Sequence, residues 1–219
     1  NAKGSNSKTH TSYITILPKV ATDVMPVIQG FESTTLAIDG WTLENGGASA
    51  TWQRITSTKH SGLACMYINN FSGTTSGDID AFYSKSYNFA TAKKPYLNFY
   101  TAYAQRATGI NDGLKLLIST DCGQTWQAKW SKTGFGLAGG VAINTSAYTP
   151  AASDWVLQTF DLYSYVGQTN VRFRFEATSK EGNNLYIDDI NILDASSGTG
   201  NALIPLAFDW SLLPNPTSG

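Results

Sequence analysis

The stretch Asn170–Thr178, NVRFRFEAT, decides the fold class. Its apolar residues fall on every second position: Val171, Phe173 and Phe175 alternate with Arg172, Arg174 and Glu176. Successive side chains of an extended strand point to opposite faces, so this alternation lays three apolar groups on one side and three charged groups on the other. The stretch reads as a strand with one face on a core and one toward water. The same period of two recurs at 49–56, 62–69, 80–88, 95–105, 113–120, 125–132, 154–162 and 184–193, whereas helical periodicity over 12 or more residues appears nowhere. Turn-forming clusters such as NNFSGTTSGD (69–78) and NDG (111–113) separate these runs. Nine or ten short strands joined by hairpin turns predict an all-β protein, an antiparallel jelly-roll β-sandwich. The long connection 133–153, rich in Gly, Ala, Ser and Thr, is expected to be a surface loop or a crossover between sheets.

Composition narrows the partners. Of the 219 residues, only 14% are charged and the net charge is −1, which gives no electrostatic basis for binding nucleic acid or an anionic membrane. No run of about 18 apolar residues is present to span a bilayer as a helix. The sequence opens at Asn1, with neither an initiator Met nor a signal peptide, and so reads as a piece of a longer exported chain. Cys65 and Cys122 lack the CxxC spacing of zinc or redox sites. They are candidates either for one disulfide across the sandwich or for two buried thiols.

The residue inventory argues against catalysis. Zincin chemistry needs two His on one helical face and a third ligand, but the two histidines, His10 and His60, fall in different parts of the chain. No Gly-x-Ser-x-Gly elbow is present. Gly134–Gly139, GFGLAG, matches Gly-x-Gly-x-x-Gly, yet the residues after it do not form the helix of a βαβ unit, so it is expected to be a flexible loop. Asp78, Asp80, Asp112, Asp121, Asp188 and Asp189 include possible pairs for glycoside hydrolysis, which needs two carboxylates about 5–10 Å apart in a cleft.

Ser119–Trp126, STDCGQTW, fits Ser-x-Asp-x-Gly-x-Thr-Trp and resembles the Asp-box hairpin repeated in sialidases. A sialidase propeller would need about six blades, several such boxes and an arginine triad, and this chain is too short for it. The box therefore reads as a turn: Asp121 accepts backbone N–H groups, Gly123 takes a positive φ and Trp126 covers the hairpin.

Taken together, GFES, GLACMYINNF, SGDIDAFYSKSYNF, LNFYTAYAQR, DGLKLLISTDCGQTW and VGQTNVRFRFEATSKEGNNLYIDDINI resemble, in this order, the MAM-like jelly-roll domain of secreted Bacteroidetes proteins. The likeness covers about residues 28–194 within a domain set at 19–196. Residues 1–18 resemble the closing hairpin of a PKD-type immunoglobulin-like repeat. Residues 197–219 read as a linker followed by the start of a type IX secretion sorting domain, on the motif PNPTSG. The resemblance implies a non-catalytic accessory domain of a secreted or cell-surface multidomain protein, a pappalysin-type zinc metallopeptidase in many relatives. Its expected partners are a protein or glycan outside the cell and the neighbouring domains of the same chain.

The resemblance also implies one structural calcium between an early Glu and an Asp of the final strand, positions matched by Glu32 and Asp188, with Asp189 as alternate. By alternation Asp188 shares a face with Ile190 and Ile192, and a carboxylate on that covered side needs a cation or hydrogen-bond donors. Asp112, in NDG, is a turn former or a further metal ligand. Trp41, Trp52, Trp126, Trp130, Trp155 and the tyrosines either fill the sandwich or form a sugar-stacking platform, for which Trp130, Tyr100 and Tyr103 are the candidates. The alternative function is accordingly a carbohydrate-binding module anchoring a secreted hydrolase to glycans.

Overall fold

A computed structural model of the chain describes residues 20–45 and 50–196. The PKD-like and sorting-domain segments lie outside the described residues. The strands are β1 (Val27–Gln29), β2 (Thr42–Asn45), β3 (Gln53–Ile55), β4 (Cys65–Ile68), β5 (Ile79–Tyr83), β6 (Pro95–Tyr103), β7 (Gly113–Ser119), β8 (Gln127–Thr133), β9 (Val156–Asp161), β10 (Arg172–Thr178) and β11 (Leu185–Asp194). A single α-helical turn, α1 (Gly134–Ala138), follows β8.

The NVRFRFEAT strand, β10, is central in a five-stranded sheet of order β2-β5-β10-β7-β8. The second sheet runs β3-β4-β11-β6-β9, with β1 also paired to β11. All strand pairings are antiparallel. Phe173, Phe175 and Ala177 are fully covered, as the alternation predicts. Phe175 stacks on Phe82 at a centroid separation of 5.1 Å and meets Phe99 of the opposite sheet edge-to-face at 5.0 Å. Trp41 and Trp52 are buried in the same interior, and the Trp52 indole N–H donates to the carbonyl of Asp80. Each such aromatic pair contributes roughly 0.5–1.5 kcal/mol beyond its buried area. The chain is thus an all-β, two-sheet jelly-roll sandwich.

Local pattern missed three elements. β1 has three residues, too few to show a period, and every residue of β2 is exposed, so neither carries an alternating signal. Gly134–Gly139 is not the flexible loop expected: Gly134–Ala138 form a helical turn that buries Leu137 and Ala138 and ends at Gly139 with φ 61°. Two glycines in a single turn oppose helix, and burial of Leu137 against the core overrides that preference. No dinucleotide site results, since the chain crosses from β8 to β9 in the opposite sheet and never forms a parallel βαβ unit. This crossover is tied down. Asn183 donates to the carbonyls of Asn144 and Ser146 and accepts from the Tyr148 N–H, while Asn184 and the Tyr186 hydroxyl donate to the Tyr148 carbonyl.

The cysteines are not bonded to each other. Cys65 is buried among Ala102, Tyr148 and Tyr186 against the six-stranded sheet, whereas Cys122 lies in the turn between β7 and β8 of the other sheet. Burial, with a smaller effect from Asp188, pushes the Cys65 thiol up to about 12, which keeps it protonated and unreactive.

Candidate functional site

β11 changes partner halfway along its length. Leu185–Ile187 pair with β4, Ile190–Ile192 pair with β1, and the register against β6 shifts between Asp188 and Asn191. At the change Asp189 takes φ 49°, a left-handed conformation unusual for a side chain larger than Gly. This bulge resets the alternation: Leu185 and Ile187 before it and Ile190 and Ile192 after it all enter the core. The predicted shared face of Asp188 with Ile190 and Ile192 is therefore corrected. Asp188 lies with Tyr186 and Cys65 toward the other side of the sheet.

The bulge gathers carboxylates. Asp188 is fully buried and accepts the backbone N–H groups of His60, Ser61 and Asp189 at 2.8, 3.3 and 2.8 Å. Burial first, and the neighbouring Asp189 second, push its carboxyl up to about 7. Asp189 meets His60 Nδ1 at 2.6 Å and accepts the Ser61 hydroxyl at 2.8 Å. The His60 ring stacks on Tyr100, with centroids 3.6 Å apart. Glu32 arrives from the segment after β1 and accepts the Leu63 N–H with both oxygens, at 2.9 and 3.0 Å. Gly62 is required here, because its φ is 61° and a Cβ would collide with the Glu32 carboxylate.

Between these groups opens a cleft of about 320 Å³ lined by Gln29, Glu32, Ser33, Asp39, Ser61 and Asp189, among others. Asp39 is a member that sequence reading missed. The Ser33 hydroxyl and the Gln29 side-chain amide both donate to it, at 2.8 and 3.2 Å. The nearby Arg54 does not neutralise the cleft, since its guanidinium donates to the carbonyls of Phe31 and Glu32. Among the described residues no group of three or more His, Cys, Asp or Glu side chains is gathered as a metal-ligand cluster.

The structure brings Glu32 and Asp189 to one notch, leaves Asp188 buried behind Asp189, and places Asp112 elsewhere. Asp112 is fully buried and accepts the N–H groups of Lys180, Gly182 and Asn183 and the Tyr103 hydroxyl. Its donors leave no open side for a ligand, so its assignment to a metal shell is corrected to a tie between the β6–β7 turn and the segment before β11. The predicted platform is not assembled either. Tyr103 is 0% exposed within the core. Trp130 packs edge-on against Phe99 and Phe160 between the sheets, and Tyr100 stands on the other side of the six-stranded sheet beneath His60.

The Asp-box hairpin forms as read. Asp121 accepts the Thr125 N–H and hydroxyl at 2.9 and 2.6 Å, Ser119 Oγ accepts the Gly123 N–H at 2.8 Å, and Gly123 has φ 88°. These bonds, those from Thr125 foremost, hold the Asp121 carboxyl down at about 2.

No protein-family model and no curated protein matches the sequence. Solved structures do match the fold. The K1 cleaved adhesin domain of Lys-gingipain from Porphyromonas gingivalis W83 is similar with TM-score 0.55 and 15% identity, over 78% of this chain and 98% of that one. The K2 cleaved adhesin domain of Lys-gingipain gives TM-score 0.55 and 21% identity, over 77% of this chain and 99% of that one. A carbohydrate-binding module structure from the β-sandwich superfamily gives TM-score 0.51 and 14% identity, over 76% of this chain and 61% of that one. The likeness is one of fold: a jelly-roll sandwich whose structural neighbours are adhesin domains and carbohydrate-binding modules. Among the described residues no helix is long and apolar enough to cross a membrane.

Proposed function

We propose that this chain is a non-catalytic accessory domain of a secreted or cell-surface multidomain protein, a zinc metallopeptidase in the resemblance drawn above, and that it holds its parent against a ligand outside the cell. The observation that carries this reading is the filled interior: aromatic side chains from both sheets close over each other and leave recognition to the outer faces and to the notch. The named roles of the structural neighbours, adhesin domain and carbohydrate-binding module, support it. Glycan binding is the second reading. It is favoured by half-buried rings on the outer face of the five-stranded sheet, Tyr83 and Trp126, whose centroids lie 6.2 Å apart. Screening the purified chain against immobilised glycans and against extracellular matrix proteins tests both readings, and an absence of binding to either set overturns them.

A structural calcium belongs to the same proposal. The notch offers only hard donors, from Glu32, Asp39 and Asp189, with Gln29 and Ser33 beside them. Asp188 is buried behind Asp189 with its carboxyl raised, and no Lys or Arg ion pair reaches either acid among the described residues. A divalent cation here would relieve that repulsion and fix the 58–63 loop to β11.

A further inference from the structure

The outer face of the five-stranded sheet carries two arginines in different electrostatic states. Arg174 is neutralised, forming ion pairs with both Glu44 and Glu176. Arg172, two residues earlier on the same face, is only 8% exposed, yet it has no carboxylate partner among the described residues. Its Nε donates to the Ser84 carbonyl at 2.9 Å and its Nη1 to the Cys122 carbonyl at 3.0 Å, which fix the guanidinium without cancelling its charge. Among the described residues its Nη2 makes no hydrogen bond. A buried cation held by neutral acceptors is costly unless an anion completes it.

Two half-buried aromatic rings stand beside Arg172. Its guanidinium sits 4.8 Å from the centroid of the Tyr83 ring, and Trp126 stands beside Tyr83. The Asp-box turn packs against both Arg172 and Trp126. A Cβ on Gly123 would lie 2.9 Å from Arg172 Nη1 and 3.3 Å from the Trp126 ring, so only glycine lets the turn pack this closely against both. The same turn aims the Cys122 carbonyl at the guanidinium, with Cys122 itself at φ 63°. The Asp-box thus positions both Trp126 and Arg172.

The geometry points to a site at Arg172, Tyr83 and Trp126 for an acidic sugar of the uronic acid class, with the carboxylate on the guanidinium and the C–H face of the pyranose against the aromatic rings. This rests on the glycan-binding reading. A guanidinium presents donors in a fork that matches a carboxylate, and apolar sugar faces pack on aromatic rings. One uncompensated cation matches one carboxylate per binding site. A polyphosphate or nucleic acid would need a row of cations, which a chain with 15 basic and 16 acidic residues does not present here.

Calorimetric titration with polygalacturonate, alginate and hyaluronan, each paired with its fully methyl-esterified form, in calcium-containing buffer, tests the site. Esterification removes the charge and keeps the ring. The acid forms should bind about tenfold or more tightly than the esters. That binding should fall about tenfold in Arg172→Lys, which keeps the charge but loses the fork, and vanish in Trp126→Ala. Should Arg172→Lys fail to fold, Trp126→Ala and Tyr83→Ala, at half-buried surface positions, carry the test. Equal affinity for acid and ester, or binding to acid polymers that survives Trp126→Ala, overturns the site. Binding to neutral glycans that Trp126→Ala leaves intact overturns it while the glycan reading stands, and no binding to any acidic or neutral polymer overturns both.

Discussion

Two buried aspartates, Asp112 and Asp188, show how one residue type is given opposite tasks. Both are 0% exposed. Asp112 is surrounded by three backbone N–H groups and a phenol hydroxyl. Asp188 also accepts three backbone N–H groups, but a second carboxylate adjoins it and an acidic cleft lies beyond. A carboxylate whose donors are complete is a structural tie. One that shares its surroundings with another acid stores unfavourable charge that a cation can release.

The largest effect expected from this contrast is at Asp112. Replacing it by Ala orphans the buried N–H groups of Gly182 and Asn183, the partly buried N–H of Lys180 and the Tyr103 hydroxyl, which should cost about 3 kcal/mol or more in urea unfolding. A loss below about 1 kcal/mol would show that water replaces the carboxylate, and the closed-tie reading would fail.

Next comes the pH response of Asp188. Its folded carboxyl, raised from 3.8 to about 7, holds a proton that the unfolded chain releases at lower pH. Its contribution to stability is therefore fully present below about pH 4 and is lost as pH rises toward 7. In chelator, the melting temperature should fall across that window, and Asp188→Asn should flatten the profile. Saturating calcium should flatten it as well, since a bound cation favours the ionised form. A profile that is identical with and without calcium would remove the cation from the notch.

A smaller shift separates the two aspartates directly. Calcium at about 100 times its dissociation constant should stabilise the fold by about 3 kcal/mol, an effect abolished in a Glu32→Gln, Asp189→Asn double variant and retained in Asp112→Asn. Calorimetry of the three proteins measures it, and an equal loss in Asp112→Asn would merge the two regions into one.

The smallest change is at the half-buried Asp121, a third carboxylate that completes the series. Its depressed carboxyl contributes above pH 3.8 and loses its effect only as pH falls through about 2. Asp121→Ala should leave global melting nearly unchanged while amide exchange at Gly123 and Thr125 accelerates. Unaltered exchange there would show that the turn holds without its Asp.

Reading by pattern succeeded where a signal was local and repeated. Phe173 and Phe175 on β10, and the Ser119, Asp121, Gly123 and Thr125 set of the hairpin, lie within a few residues of their partners or repeat a period set by backbone geometry. It failed at Asp188, where one residue at φ 49° changes which face every later side chain takes. It failed also at Tyr103, one of several alternating aromatics whose depth depends on a partner strand, and at Asp39, which joins the notch from a short turn with no motif of its own. Arg172 carried no signal beyond its place on the polar face of a strand.

The sequence by itself determined the two-layer β architecture, because alternation and turn chemistry are properties of neighbouring residues. Only the tertiary structure decided which acids meet, which aromatics stay at the surface and which guanidinium is left without an anion. Those outcomes depend on where β1, β4 and the 58–63 loop land along β11, and on how the Asp-box turn lies over β10. They are set by contacts between residues far apart in the chain, such as His60 with Asp188 and Cys122 with Arg172, which no local pattern encodes.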